Sequence, residues 1–379
     1  MGKPLKRTQH SPADRLLIVM PTWLGDTVMA TPTLRAFREL YPQAHITALI
    51  RRHLRPIIDG CPWIDRIVTA RQKTKHAVVP KRTGPIKLAA RLASGKFDTA
   101  VLLPNSFRSA LLVRMAGIRR RVGYDRDGRG GMLTDRLLPR RMRGKYVPVP
   151  TRDYYLGLAR YLGAIDPDPA MRLFTRPDDD RRADGLLRTA GVQLEADPVT
   201  GKSPRPLVIL NPGANFGEAK IWFPQRFAQV ADRCAEHLNA IVAVSGAPNE
   251  RPILDEIRKA ARHPIIDLPS LGVDLTLLKS VIRRANLMIT NDTGPRHIAA
   301  AFNVPLVTIF GPTDPAWSET DFPSERQVFV DVYCRPCQKK KCPLRGTADD
   351  HVCMKKIDAE MVFEHAVSAL REAPVRVAV

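Results

Sequence analysis

Asp26 follows an apolar run, Leu16 to Met20, behind the glycine turn Pro21-Thr22-Trp23-Leu24-Gly25 and at the start of a helix-like pattern. A carboxylate in that place either caps the helix or acts as a base toward a bound hydroxyl. A second constellation, Asn211-Pro212-Gly213-Ala214-Asn215-Phe216-Gly217-Glu218-Ala219-Lys220, follows a later apolar run. Its glycines let backbone N–H groups approach a phosphate, and Lys220 adds a point charge. No Gly-Lys-Ser/Thr ends the segment, which argues against P-loop nucleotide hydrolysis. A third, Asn291-Asp292-Thr293-Gly294-Pro295-Arg296-His297, leads into an alanine-rich helix. A strand, a glycine turn and a helix N-terminus make an anion site, to which Thr293 can add a hydroxyl donor. His297, one turn on, either faces that site or is a hydrogen-bonded core histidine. Gly311 and Thr313 lie in the turn Phe310-Gly311-Pro312-Thr313-Asp314-Pro315 after the next run, at the same sheet edge. Glu250, five residues past Ser245, either accepts ribose hydroxyl hydrogen bonds or faces solvent.

These residues all follow apolar runs because the chain alternates strand-like and helix-like segments, the signature of α/β layers on a parallel sheet. In the first half, Leu16 to Met20, His45 to Ile50, Arg66 to Thr69 and Thr99 to Pro104 read as strands. One helix is expected from near Asp26 to just before Tyr41-Pro42. In the second half, Leu207 to Leu210, Ala240 to Ser245, Leu287 to Thr290 and Leu306 to Ile309 read as strands. Helices are expected near Pro224 to His237, Pro252 to Ala261, Thr276 to Arg284, Arg296 to Phe302 and Ala359 to Leu370. Glu195 to Pro206 has the turn-rich composition of a linker. Ligands of such sheets bind beyond the carboxyl ends of the strands, where the candidate residues stand. The Gly-x-Gly-x-x-Gly of a dehydrogenase is absent from both first turns.

At 379 residues, 44% hydrophobic and 26% charged, the chain suits a globular protein of two domains. No apolar run reaches the ~20 residues of a membrane helix, and no signal-peptide pattern follows the basic N-terminus, so a cytoplasmic location is expected. A net charge of +22, much of it between Arg119 and Lys145, implies an anionic partner. Nucleic acid is not expected, because no binding module is recognisable and aromatic content is only 6%. Four of six cysteines, Cys334, Cys337, Cys342 and Cys353, fall within twenty residues in a C-x2-C-x4-C-x10-C spacing. They could hold a structural zinc or form a packed cysteine-rich lobe; four thiolates leave no open position for a substrate.

Taken in order, six stretches resemble the ADP-heptose:lipopolysaccharide heptosyltransferases, in particular the heptosyltransferase II branch. They are Gly25 to Pro32, Leu103 to Ala110, Arg121 to Tyr124 with Arg126 to Arg129, Asn211 to Trp222, Asn291 to His297 and Phe310 to Pro315. The resemblance implies a GT-B fold of two Rossmann-like domains with parallel sheets facing a central cleft. The first domain, residues 1–195, would hold the acceptor, and the second, 206–357, the nucleotide sugar; residues 358–379 would pack back on the first. It implies metal-independent, inverting transfer of heptose from ADP-heptose to the lipid A-core at the anionic inner leaflet, with no cofactor required. Donors other than ADP-heptose, and heptosyltransferase I or III activity, are the alternatives. Asp26 matches the family's general base, Lys220 its diphosphate-binding lysine and Glu250 its ribose-binding glutamate. Asn211, Gly213, Asp292, Thr293, Gly294, His297, Gly311 and Thr313 fall on donor-binding turns, and Asn105, Ser106 and Arg129 where acceptor contacts are expected. The cysteine-rich stretch and the N-terminal extension depart from the shorter enterobacterial members.

Overall fold

A computed structural model describes residues 13–70, 84–195 and 204–372. The basic N-terminal segment, and most of the turn-rich stretch expected as a linker, lie outside them. The chain divides into two compact units, Met1–Met171 and Arg172–Val379.

The first unit is built on six parallel strands: β1 (Arg15–Val19), β2 (His45–Arg51), β3 (Arg66–Ala70), β4 (Thr99–Leu102), β5 (Arg120–Tyr124) and β6 (Asp135–Leu137). Their order is β3-β2-β1-β4-β5-β6. A two-stranded antiparallel hairpin follows, β7 (Arg141–Met142) and β8 (Lys145–Tyr146). The helices are α1 (Leu24–Met29), α2 (Thr31–Leu40), α3 (Arg55–Ile58), α4 (Pro85–Ala93), α5 (Phe107–Met115) and α6 (Thr151–Leu162). Leu17, Val19, Ala100 and Leu102 from the central strands pack with Leu92, Ala110 and Val113 of the covering helices.

The second unit repeats the plan with β9 (Leu207–Asn211), β10 (Ile241–Val244), β11 (Ile265–Asp267), β12 (Leu287–Asn291), β13 (Leu306–Ile309) and β14 (Glu325–Val328). Their order, β11-β10-β9-β12-β13-β14, reproduces the first sheet. Around it lie α7 (Pro177–Thr189), α8 (Pro224–Leu238), α9 (Arg251–Ala260), α10 (Leu275–Arg284), α11 (Gly294–Ala301), α12 (Val352–Lys355) and α13 (Ala359–Arg371). Strand order reverses between β1 and β4 and again between β9 and β12, and that switch point is where loops diverge to leave room for a ligand.

Two expectations are corrected. The single helix expected to begin near Asp26 is two helices broken at Ala30. Pro32 has no N–H to give the Val28 carbonyl, and the Thr31 hydroxyl donates to it instead, at 2.8 Å. The boundary falls at residue 171 rather than 195, because α7 belongs with α10: Arg284 meets Asp184 through two hydrogen bonds of 2.8 and 3.0 Å, and Arg283 meets Asp180 at 3.1 Å. The terminal helix α13 joins the second unit's own core, where Val362, Phe363, Ala366 and Ala369 pack with Val307 and Val328.

Candidate functional site

In the first unit, the loops after β1 and β4 flank the switch point. Asp26 stands in the first turn of α1, but it does not cap that helix: Trp23 holds the N-cap position, without a side-chain bond. Among the described residues the Asp26 carboxylate has no hydrogen-bond partner, and burial pushes it up from the usual carboxylate value to about 6. Tyr155 of α6 is buried nearby; burial, and then the Asp26 charge, hold its hydroxyl well above the ordinary tyrosine value. A carboxylate without partners in apolar surroundings is a good proton acceptor near neutral pH.

The three acceptor candidates lie close together. Arg129 is fully buried; its guanidinium donates to the Tyr124 carbonyl at 2.9 Å, to the Pro104 carbonyl, and to Asn105 Oδ1 at 3.3 Å. Burial lowers its pKa to about 10. Tyr154, stacked on Tyr124 at 3.8 Å, donates to the same Asn105 oxygen at 3.0 Å. Ser106 caps α5 by accepting from the Ser109 N–H at 3.2 Å. Arg129 therefore shapes the turn that presents Asn105.

The second unit joins the turns after β9, β12 and β13 through a buried charge network. Lys220 Nζ lies 2.5 Å from Asp292 Oδ2 and donates to the Asp292 carbonyl at 3.0 Å. Thr313 donates to Asp292 Oδ2 at 2.8 Å, and Arg296 approaches Asp292 Oδ1 at 3.4 Å. Arg296, with no exposed surface, is clamped by Glu325 through bonds of 2.6 and 3.0 Å. Burial alone would raise Asp292, but Lys220, Arg296 and the hydrogen bonds from Lys220 and Thr313 outweigh it and bring the carboxyl to about 2. The four charges cancel, so the network is neutral before any anion arrives.

Around it, Asn211 is held in the sheet, donating to Thr290 Oγ1 at 3.2 Å and accepting from Ser245 Oγ at 3.0 Å. Glu250 accepts from the Ala247 N–H at 2.7 Å and lies against Gly213, where any Cβ would collide with its carboxylate. Gly311 is similarly backed by Met354. Thr293 and Gly294 are half-exposed at the head of α11, and the Thr293 hydroxyl makes no capping bond. His297 is buried with Nδ1 lacking a partner among the described residues, and burial followed by the Arg296 charge lowers it to about 3, so the ring is neutral. The arrangement suits a diphosphate: a helix N-terminus, backbone at glycine turns and an oriented ammonium.

Glu325, Tyr154 and Tyr155 carried no sequence signal, because their partners are distant in the chain. Arg296 did carry one: a charged residue one turn from Asp292 on an otherwise apolar helix face must be paired.

The model of glycosyltransferase family 9 (heptosyltransferase) matches residues 86–348. Lipooligosaccharide heptosyltransferase 2 of Haemophilus ducreyi is 30% identical over 320 residues, covering 80% of this chain and 85% of the relative. Lipopolysaccharide heptosyltransferase 2 of Escherichia coli is 27% identical, covering 79% and 84%. Among solved structures, the family 9 glycosyl transferase of Veillonella parvula superposes with a TM-score of 0.79 at 23% identity, covering 96% of this chain and 99% of that one. E. coli ADP-heptose LPS heptosyltransferase II gives 0.74 at 23% identity, covering 94% and 99%. These likenesses show the GT-B type of fold, two Rossmann-like units with parallel sheets. With more than half its length matched by the family model, this chain belongs to glycosyltransferase family 9, the heptosyltransferases.

Proposed function

We propose that this glycosyltransferase moves heptose from ADP-heptose to the inner core of lipopolysaccharide, as heptosyltransferase II enzymes do, in one inverting step without a metal ion in the chemistry. The observation that carries the reaction is Asp26: a carboxylate without hydrogen-bond partners among the described residues and raised by burial to about 6. The choice of donor and acceptor is supported by the names of the relatives.

The acceptor hydroxyl oxygen forms a bond to the anomeric carbon while the bond from that carbon to the diphosphate breaks. Asp26 takes the hydroxyl proton as attack proceeds. Negative charge gathers on the departing ADP, where Lys220 and the N–H groups at Thr293 and Gly294 stabilise it. Asp292 fixes the lysine's direction, and Thr313 fixes Asp292. Glu250 receives the ribose hydroxyls, and Asn105 with Ser106 meets the acceptor sugar, supported by Arg129.

The acceptor is lipid-linked, and the basic segment between Arg119 and Lys145 supplies a peripheral membrane contact. Only part of that segment is available for it. Arg120 is bound to Asp135, Arg121 to the Ile118 and Met132 carbonyls, and Arg129 is buried. Arg136, Arg140, Arg141, Arg143 and Lys145 are exposed around the β7–β8 hairpin, together with Leu138 and Met142 at 78% and 68% exposure. Cations beside uncovered apolar side chains suit an anionic headgroup layer. No helix among the described residues is long and apolar enough to cross a membrane.

Calorimetry with ADP, UDP, GDP and CMP, with and without added Mg2+, tests the donor. Preference for ADP independent of Mg2+ is expected. Preference for UDP or GDP would discard heptose in favour of another nucleotide sugar, and absence of binding to any of the four would remove the donor-site reading.

A further inference from the structure

Between the end of β14 and the start of α12, residues 329–351 contain neither helix nor strand. A structureless stretch of that length inside a compact unit needs a tether other than backbone ladders. Its own apolar side chains supply only part of one: Val330 and Val332 pack against the core, but Tyr333 is 75% exposed and Phe329 40%. Yet the stretch is bonded closely to the donor turns. The Lys340 carbonyl accepts from the Ala219 N–H at 3.1 Å, and a Cβ on Gly217 would collide with that carbonyl. The Gln338 N–H donates to the Pro312 carbonyl at 2.9 Å, and Arg335 Nε to the Gly311 carbonyl at 3.1 Å.

Four of the six cysteines converge beneath these contacts. Cys334, Cys337, Cys342 and Cys353 line one cavity with Ala219 and Pro312, and none is in a disulfide. The cavity measures ≈ 10 Å³, about the room of a single water-sized sphere, so it admits an ion and excludes a sugar or nucleotide. The His351 N–H donates to Cys342 Sγ at 3.3 Å. His351 and Asp350 have ligand atoms within 4.8 Å of Cys342 Sγ, but His351 Nδ1 is engaged with Asp350 Oδ1 at 2.5 Å. Cys334, Cys337 and Cys353 share the cavity with Cys342, and C-x2-C is the spacing that brings two sulfurs to one ion.

We propose that Cys334, Cys337, Cys342 and Cys353 hold one thiolate-preferring divalent metal ion, zinc or iron, and that this ion fixes the loop against which the donor turns at Gly217–Lys220 and Gly311–Thr313 are built. Four thiolates complete the coordination, so the ion touches no substrate and acts only through the loop. Binding releases the thiol protons and supplies the ordering that the small local core does not. The influence on donor affinity rests on the donor-site reading above; the presence of the ion does not.

The experiment is elemental analysis of the full chain, purified anaerobically from zinc-supplied and from iron-supplied cells, followed by calorimetry with ADP. One equivalent of metal per chain is expected; visible thiolate-to-metal absorption identifies iron, and its absence at full occupancy identifies zinc. Cys337→Ser and Cys353→Ser should lose the metal, whereas His351→Ala should keep it. Sub-stoichiometric metal from both preparations, full metal in the serine variants, or loss in His351→Ala would overturn the ligand assignment. Should the serine variants fail to fold, the wild-type chain stripped by a chelator and reloaded serves in their place. ADP affinity should fall about 10-fold on stripping and return on reloading. Unchanged affinity would overturn the coupling, while ADP failing to bind the metal-replete chain would instead remove the donor-site reading.

Discussion

Lys220 Nζ lies 2.5 Å from Asp292 Oδ2, and the two are 72 residues apart in the chain. Because β9 and β12 are neighbours in the sheet, the turns that follow them meet at the switch point. The lysine expected to meet diphosphate is therefore already oriented by a carboxylate that Arg296 and Thr313 also hold.

Replacing Asp292 by Asn leaves two cations in the interior without their shared counter-charge. A loss of roughly 3–5 kcal/mol in chemical denaturation at pH 7 is expected, as for other broken buried pairs, together with weaker ADP binding. The Asp292 carboxyl is depressed to about 2, so its stabilising contribution is full above the ordinary value near 4 and disappears as the pH falls through 2. The stability gap between wild type and Asp292→Asn should narrow over that window. A gap that does not vary with pH would mean that shape, not charge, is what the variant loses.

Asp26→Asn should lower transfer by ~100- to 10,000-fold, the usual worth of a positioned base, with ADP affinity retained. The same variant tests the sign of the burial effect. A carboxyl raised to about 6 destabilises the fold only when ionised, so the penalty is absent below pH 4 and complete above 6. Melting curves should show Asp26→Asn gaining on the wild type as the pH rises from 4 to 8. Loss of activity with gain of stability is the signature of a functional residue; full turnover by the variant would dismiss Asp26 as the base.

The pH profile of kcat/KM offers an independent check. Activity should rise with pH along a limb centred near 6, because the base must be deprotonated and burial holds Asp26 there. A limb near the ordinary carboxylate value of about 4 would place the proton acceptor elsewhere.

At Gly213 the absence of a side chain leaves room for the Glu250 carboxylate. Gly213→Ala should therefore displace Glu250 and weaken ADP binding to the same degree as Glu250→Ala. The double variant should be no worse than either single one, since both remove the same contact. Additive losses in calorimetry would separate the two residues.

The hairpin gives a salt-dependent prediction. Co-sedimentation with vesicles containing anionic lipid should be strong at low salt and weaken toward physiological ionic strength, where exposed charges are screened within ~8 Å. Changing Arg140, Arg141, Arg143 and Lys145 to Gln should remove the binding and leave transfer to a water-soluble acceptor unchanged. Binding that ignores salt would point to the apolar side chains Leu138 and Met142 alone.

What the sequence by itself determined was the layered α/β plan and the turns at the strand ends to which the proposed chemistry is assigned. Apolar runs such as Leu207 to Leu210 and Leu306 to Ile309 are buried on both faces of a parallel sheet, and such strands read as continuous hydrophobic segments. Most central strands were therefore legible, as was the edge strand β3, while β5 and the other edge strands were not: β6, Asp-Arg-Leu, and β14, Glu-Arg-Gln-Val, are polar because one side of each is uncovered or meets a charge. Asp26, Lys220 and the Asn291–His297 turn were legible because ligand loops follow strand ends. Only the tertiary structure decided what those groups experience. Desolvation of Asp26, the clamp of Glu325 on Arg296 and the burial of Arg129 beneath Asn105 arise from segments far apart in the chain. Local sequence carries propensity and pattern, whereas electrostatic environment is set by whichever distant elements the sheet order makes neighbours.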